Sequence, residues 1–429
     1  MRWRSGILAV VLAVPAAAQQ APLHLEVTLK EAIQRALEVQ PLMVSARGEV
    51  RSSGAALRAS NGAFLPTIAT NGSWGRRGGT TLNNSGQPVT TQTTISYSGG
   101  ISAGIDLFTG FRRLADRRAS AATRDAADAG LVDVRFRVIL DTRGFFYAAL
   151  ATEELVRVAQ SQVRRAQQQL QISVEKLRAG SATRSDSLRS TVDFGNARIA
   201  LLEAQANLAA AQANLGRQIG VDQPVRAVPD SVLPPLPDTT ALRVIAVNRA
   251  PRVEQADAQA RAARARVAVS RQTYFPRITY SAGTSTFSSQ PPWDHTTPYL
   301  KGWNVGVGVS WTLFNGFSRE SQVVSASVLR DNAEASAADT RRAVTAQLAQ
   351  QIAALTTAYE KIDIARANVA AATEDLRVQN ERYRVGAATI LDLLTSQAAL
   401  TLAEQNLVQA RFDYLIARAQ LEALVGHEL

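Results

Sequence analysis

Two aspartates stand out among the residues that could do chemistry. Asp186 and Asp392 each follow a glycine by six residues, in the matching segments Glu175-Lys-Leu-Arg-Ala-Gly180-Ser-Ala-Thr-Arg-Ser-Asp186-Ser-Leu188 and Glu381-Arg-Tyr-Arg-Val-Gly386-Ala-Ala-Thr-Ile-Leu-Asp392-Leu-Leu394, displaced by 206 residues without a gap. A carboxylate at the start of a helix can accept from backbone N–H groups that have no partner within it. The rest of the inventory is poor in catalytic chemistry. His24, His295 and His427 are far apart, which supports neither a histidine metal site nor a Ser/His/Asp triad. There is no cysteine, hence no disulfide framework and no thiol for lipid attachment. No glycine-rich phosphate loop or usefully spaced acidic pair is present. The sequence therefore predicts no catalytic residue, no metal and no cofactor.

The elements that must position these aspartates are themselves duplicated. The same displacement of 206 carries Leu107-Phe-Thr-Gly110-Phe111 onto Leu313-Phe-Asn-Gly316-Phe317 and Ile219-Gly220 onto Val425-Gly426. Upstream, Phe64-Leu-Pro66 matches Tyr274-Phe-Pro276 and Gln40-Pro41 matches Ala250-Pro251, displaced by 210, so four residues are gained or lost in a tolerant loop between Pro66 and Leu107. A unit of this length is a complete module and not a solenoid repeat, and two of them imply pseudo-symmetry. The predicted order is a signal peptide (1–18), a first repeat (19–220), a Pro-rich linker (221–240) and a second repeat (241–429). Each repeat holds a helix, a β-hairpin (about 64–108 and 274–314), a long helix (about 111–178 and 317–384) and a further helix (about 184–217 and 389–425).

Composition narrows the setting. Arg2 and Arg4, the apolar run Ile7 to Val14 and Ala16-Ala17-Ala18 form an export signal, cleaved after Ala18. That apolar run is short of the roughly 20 residues that span a bilayer. The net charge of +11 comes almost wholly from arginine. These arginines are scattered among Gln, Asp and Glu along helices, a pattern of solvated faces and not of a nucleic-acid patch.

The strands carry the clearest periodicity. From Trp303, the odd positions Val305, Val307, Val309, Trp311 and Leu313 are apolar and the even ones, Asn304, Gly306, Gly308, Ser310 and Thr312, are small or polar. Ile95, Tyr97, Ile101, Ala103, Ile105 and Leu107 repeat the pattern; Trp74 shares a face with Ile68, and Tyr280 with Ile278. Trp303 and Trp311 are eight residues apart, roughly 26 Å along a strand. That matches the apolar band of about 25 Å, bordered by aromatic girdles, on outer-membrane barrels. Trp303, Trp311, Tyr97, Tyr280 and Trp74 are thus predicted to form a membrane girdle. Four strands cannot close a barrel, and open edges cannot sit in lipid, so several chains must contribute.

Between Gly316 and Gly386 there is neither Pro nor Gly, a helix of roughly 100 Å. Leu348, Leu355, Ile362, Val369, Leu376 and Tyr383 recur every seventh residue, a coiled-coil seam. Thr28 with Glu31 has capping-box spacing at the first helix, and Pro41 and Pro251 predict breaks. Pro224, Pro229, Pro234, Pro235 and Pro237 predict an extended strap, and Gly75 to Gln92 and Ser288 to Leu300 predict loops between paired strands.

Together these residues resemble the TolC-like outer-membrane factor family. The segment Arg382-Tyr383-Arg384-Val385-Gly386-Ala387-Ala388-Thr389-Ile390-Leu391-Asp392-Leu393-Leu394 is similar to its "RYxxGxxxxxDxL" signature, and Phe108-Thr-Gly-Phe111 and Phe314-Asn-Gly-Phe317 to its strand-to-helix link. The resemblance implies an α+β membrane protein, a homotrimer whose chains each give four strands to a 12-stranded barrel continued by a helical periplasmic tunnel. It implies a passive exit duct of a tripartite efflux pump or type I secretion system in a Gram-negative outer membrane. The implied partners are outer-membrane lipid, a periplasmic adaptor and, indirectly, an inner-membrane RND or ABC transporter, with no nucleic acid. Gly180, Ser181, Gly386 and Ala387 would be the adaptor-docking tips, their small residues admitting an adaptor hairpin. Asp392 would belong to a carboxylate ring at the pore entrance. Tyr383 matches a residue that latches neighbouring helices, while Thr395 replaces a second acid and Ala388 a basic partner, which implies a looser or differently held gate. Asp186 is open to two roles, helix cap or pore lining. The alternative is a trimeric coiled coil or adhesin with a membrane-anchored barrel; the duplicated order of elements argues against it.

Overall fold

The computed structural model describes residues 25–229, 233–238, 249–294 and 298–429, apart from the side chains of residues 81 and 89–92. The predicted signal peptide, His24, His295 and the first residues of the second repeat's opening helix lie outside the described residues. In chain order the elements are β1 (Leu25–Val27), α1 (Leu29–Val39), α2 (Pro41–Gly62), β2 (Thr67–Leu82), β3 (Pro88–Phe108), α3 (Arg112–Arg178), α4 (Arg184–Gln218), β4 (Val225–Ala227), α5 (Pro251–Arg271), β5 (Arg277–Ser288), β6 (Leu300–Ser310), α6 (Ser318–Arg384) and α7 (Ile390–Val425). Contacts divide the chain into two units, residues 1–32 with 145–233, and residues 33–144 with 234–429.

Local chemistry accounts for the helix ends. Thr28 and Glu31 exchange backbone-to-side-chain hydrogen bonds of 3.1 and 3.4 Å at the start of α1. Pro41 and Pro251 each occupy the first turn of a new helix, and the preceding Gln40 and Ala250 are extended, as a following proline demands. Both α3 and α6 run for 67 residues, roughly 100 Å.

In the first unit, β1 and β4 pair in parallel, Leu25 opposite Val225 and Val27 opposite Ala227. The predicted strap therefore contains a strand. Val225 and Ala227 are buried while Arg226 points outward to Glu26 at 3.1 Å and Glu153 at 2.7 Å, so three alternating residues suffice to seat it between prolines. In the second unit, Leu348, Leu355, Ile362, Leu376 and Tyr383 are all buried. Farther along α7, the Tyr414 hydroxyl donates to the carbonyls of Pro234 and Pro235, at 3.0 and 2.9 Å, and fastens the end of the strap. Arg418 donates to the Pro235 carbonyl and, through Nε, to Glu422, which Arg143 also engages.

The second unit also holds one antiparallel sheet in the order β2-β3-β5-β6. Two expectations change here. Most of Gly75 to Gln92 is strand, and the turn is confined to residues 83–87, where the Asn83 side chain accepts from the N–H groups of Ser85 and Gln87 and Gly86 has φ of 73°. Its Gly, Thr and Arg residues are polar on both faces, so alternation could not reveal the strand. At the other end β6 stops at Ser310, and Trp311 lies in the link, donating its indole N–H to the Tyr274 carbonyl at 3.1 Å.

At the joints between sheet and long helices, Gly110-Phe111 and Gly316-Phe317 are left-handed in both residues. For a phenylalanine this conformation costs of order 1–3 kcal/mol and needs support. Phe111 and Phe317 pack edge-on against Phe108 and Phe314, with ring centroids 5.6 and 5.5 Å apart. Arg319 donates to the carbonyls of Thr312 and Leu313 and lies over the Tyr274 ring; Arg113 donates to those of Ala63 and Leu107 and lies over Phe64.

Candidate functional site

The two helix-hairpin tips carry the residues singled out by sequence. Each long helix ends in a glycine of positive φ, Gly180 at 73° and Gly386 at 82°. Ser181 N–H donates to the Lys176 carbonyl and Gly180 N–H to that of Leu177; Ala387 and Gly386 repeat this with Arg382 and Tyr383. These paired bonds satisfy the last carbonyls of the helix in a Schellman motif. Gly180, Ser181, Gly386 and Ala387 are all exposed.

The next helix starts at once. Thr389 N–H and Oγ1 donate to Asp392 Oδ2 at 2.9 and 2.8 Å, and Asp392 N–H returns a bond to Thr389 Oγ1 at 3.3 Å. Thr183 and Asp186 build the same capping box, with Thr183 N–H to Asp186 Oδ2 at 2.9 Å and Asp186 N–H to Thr183 Oγ1 at 3.2 Å. Thr183 and Thr389 are thus the N-caps, and each aspartate, at the third helical position, closes the box from within its helix. The bonds from the Thr389 backbone and hydroxyl, with help from Arg382, hold the Asp392 carboxyl below the usual carboxylate range. It remains ionised at neutral pH while its side chain faces solvent.

Behind these caps the tips differ. In the second, Tyr383 is buried with Leu376, Ile390, Leu393 and Leu400. Its ring lies inside the hairpin's own core, and Thr395 donates to the Leu391 carbonyl of its own helix at 2.8 Å. In the first, Gln169, Ser173 and Ser190 form a buried polar seam, with Gln169 to Ser173 at 3.1 Å and Ser173 to Ser190 at 2.8 Å. Sequence reasoning missed this seam and the joint-stapling Arg113 and Arg319. Comparison of the two halves could have found the arginines, since Arg113 recurs as Arg319; the seam does not recur, Gln169 and Ser173 being matched by Asp375 and Gln379.

The sheet supplies a third feature. Cross-strand register aligns Ile68 with Ala103, Ala282 and Val305, and Ile105 with Tyr280 and Val307, so one apolar face runs across four strands. That face is exposed: Trp303 at 82%, Val309 at 70% and Ile68 at 75%. Trp74 is directly opposite Tyr97, and Tyr97 meets Trp293, a loop aromatic not anticipated from alternation, edge-on at 6.5 Å. The other face carries Ser98, Ser102, Ser281, Asn304 and Gly306, and Arg277 grips Asp106 there with both oxygens engaged at 2.8 and 2.9 Å. β2 and β6 each pair on one side only. Among the described residues no helix is long and apolar enough to cross a membrane, and no group of His, Asp or Glu could hold a metal.

A family profile for "Outer membrane efflux protein" matches residues 32–221 and 242–427, nearly the whole chain. The chain belongs to the outer membrane efflux protein family. It is therefore an outer-membrane protein and not an enzyme. It is similar to the pyoverdine export outer membrane protein OpmQ of Pseudomonas aeruginosa, 27% identical over 427 residues, covering 93% of this chain and 83% of that one. It is also similar to the alkaline protease secretion protein AprF of the same organism, 24% identical over 314 residues, covering 71% and 65%. The crystal structure of CusC superposes with a TM-score of 0.79 at 18% identity, covering 99% of both chains, so the two share a fold.

Proposed function

We propose that three copies of this chain form a passive outer-membrane exit duct: a 12-stranded barrel, four strands from each, continued into the periplasm by the long helices. The observation that carries this reading is the sheet, whose apolar face is exposed while β2 and β6 leave both edges unpaired. In lipid an apolar face is favourable and an open edge is not, so the edges must meet those of other copies. The small polar face then lines the lumen, and Trp303, Trp311, Tyr97, Tyr280 and Trp74 contact the membrane. At the tips, Gly180, Ser181, Gly386 and Ala387 dock a periplasmic adaptor, which couples the duct to an inner-membrane RND or ABC transporter. Asp392 lines the pore entrance, with Tyr383 and Thr395 near it in the second tip, and Asp186 of the first tip either serves the same entrance or only its own helix start. Relatives named for pyoverdine export and for alkaline protease secretion support a cargo set by the coupled transporter and not by the duct. Purified protein in planar bilayers tests this: stable single-channel conductance from a trimer is expected. A monomer, or a trimer without conductance, would sink the reading.

A further inference from the structure

The charges of the sheet are divided unequally between its two ends. Within the four strands the charged residues are Arg76, Arg77, Asp106, Arg277 and Lys301. Near the long helices Asp106 and Arg277 neutralise each other. Near the hairpin turns Arg76, Arg77 and Lys301 stand exposed, without an ion pair among the described residues.

Register fixes which way each of these cations points. Arg76 pairs with Ile95 and lies two residues beyond Trp74, so it shares the apolar outer face. Lys301 pairs with Thr286, which pairs with Gly99, and that row reaches Gly72, again on the face of Trp74 and Trp303. Arg77, opposite Thr94, falls on the polar face. A cation on the lipid side is costly at the bilayer midplane and costs little at its border. Arg76 and Lys301 therefore belong at the border, their stems lying along the aromatic belt of Trp74, Tyr97, Trp293 and Trp303. No acidic residue of the strands occupies this face, so the strands leave the charge to its surroundings.

We propose that this outer rim binds the phosphate groups of an anionic lipid headgroup in the leaflet at the hairpin ends. Arginine and lysine both bind phosphate strongly through charge-assisted hydrogen bonds, and the aromatic residues beneath them suit the upper acyl chain and glycerol or sugar region. The inference rests on the barrel reading, and that reading adds to it. Because β2 and β6 are the sheet edges, ring closure sets Lys301 of one copy and Arg76 of the next on adjoining strands, so that both cations of each junction face the same leaflet.

Native mass spectrometry of the full chain in neutral detergent, titrated with diphosphoryl lipid A or with phosphatidylcholine, tests the site. Replacing both residues, R76A with K301A, should weaken lipid A retention about tenfold or more. R77A, on the polar face, and the charge-keeping R76K with K301R should retain it, and phosphatidylcholine binding should not respond to any of them. Should the alanine pair fail to fold, R76Q read against R77Q makes the same comparison. Equal retention by the alanine pair and the wild type, or an equal loss in R77A, would overturn the proposal. The same spectra count the chains. A monomer whose lipid A binding depends on Arg76 and Lys301 would remove the barrel and keep the site, whereas a trimer indifferent to both residues would do the reverse.

Discussion

Ser173 and Ser190 share a 2.8 Å hydrogen bond inside the first hairpin, while the residues 206 positions later, Gln379 and Ser396, do not meet: Ser396 donates to Asp375 at 2.5 Å and Gln379 Oε1 is buried without a partner. The two tips share an outline and differ in what fills them. Ser190→Ala should cost about 1–3 kcal/mol, because it strands the buried Ser173 hydroxyl and unsettles Gln169. Ser396→Ala should cost less, since Asp375 is exposed and water can replace the lost donor. Amide exchange at each tip reads the two costs separately; equal effects would mean that the first seam is already wet.

The apolar plug of the second tip predicts the opposite sensitivity. Leu393 is completely buried beside Tyr383, and Leu393→Ala should destabilise that hairpin by about 2–5 kcal/mol. Local unfolding measured by exchange along 376–400 should rise accordingly, and protection equal to wild type would show that the cluster collapses around the gap.

Asp392 closes a capping box and, in the proposed duct, lines the pore entrance, and one substitution separates the two. Asp392→Asn keeps an acceptor for Thr389 and removes the charge, so it should lower cation selectivity, read as the reversal potential across a salt gradient. An unchanged reversal potential takes Asp392 out of the pore lining.

The cap also gives the second tip an acid sensitivity of known sign. The Asp392 carboxyl is depressed in the folded protein by its Thr389 bonds, so its contribution is complete above the ordinary carboxylate range and is lost as pH falls through its own lowered pKa. Exchange at residues 389–393 should therefore accelerate only in strong acid, and in Asp392→Asn this acceleration should vanish. A wild-type tip that loosens near neutrality would need another titrating group.

Gly386 combines a backbone requirement with a bare surface. Gly386→Val forces a β-branched residue to φ of 82°, which should fray the end of α6 and abolish adaptor cross-linking. Gly386→Asn tolerates the left-handed conformation and adds only bulk. Cross-linking lost in both variants assigns docking to the bare surface; retention in Asn alone assigns it to the turn.

What the sequence disclosed followed from periodicity. A stripe repeating every seventh residue is visible because Leu348 through Tyr383 serve one function, burial, at one spacing. Alternation exposed β6 for the same reason, and lost sight of β2 beyond Gly75 where both faces are polar. Arg113 and Arg319 leave no mark in the periodicity, because their role is to satisfy carbonyls of a neighbouring link and such geometry has no period; only their recurrence 206 residues apart marks them. At the tips, residue types foretold both helix ends and, for Asp186 alone, a capping role as one of two alternatives; the capping threonines Thr183 and Thr389 went unread. Which side chain fills each hairpin's interior, Ser173 or Tyr383, depends on rotations that spacing does not encode.

The grip of Arg277 on Asp106 spans 171 residues of chain, whereas β2 and β3 turn around within five, residues 83–87. Loop-closure entropy grows with the logarithm of the span, which makes the longer junction costlier by about 3 kcal/mol before any contact repays it. Each hairpin can thus zip alone and early, and the β3–β5 seam must wait until the intervening helices have brought its ends together. Within one chain the seam where the two halves of the sheet join is expected to close after both hairpins, and a chain arrested there would present two separate ribbons, each with both edges open.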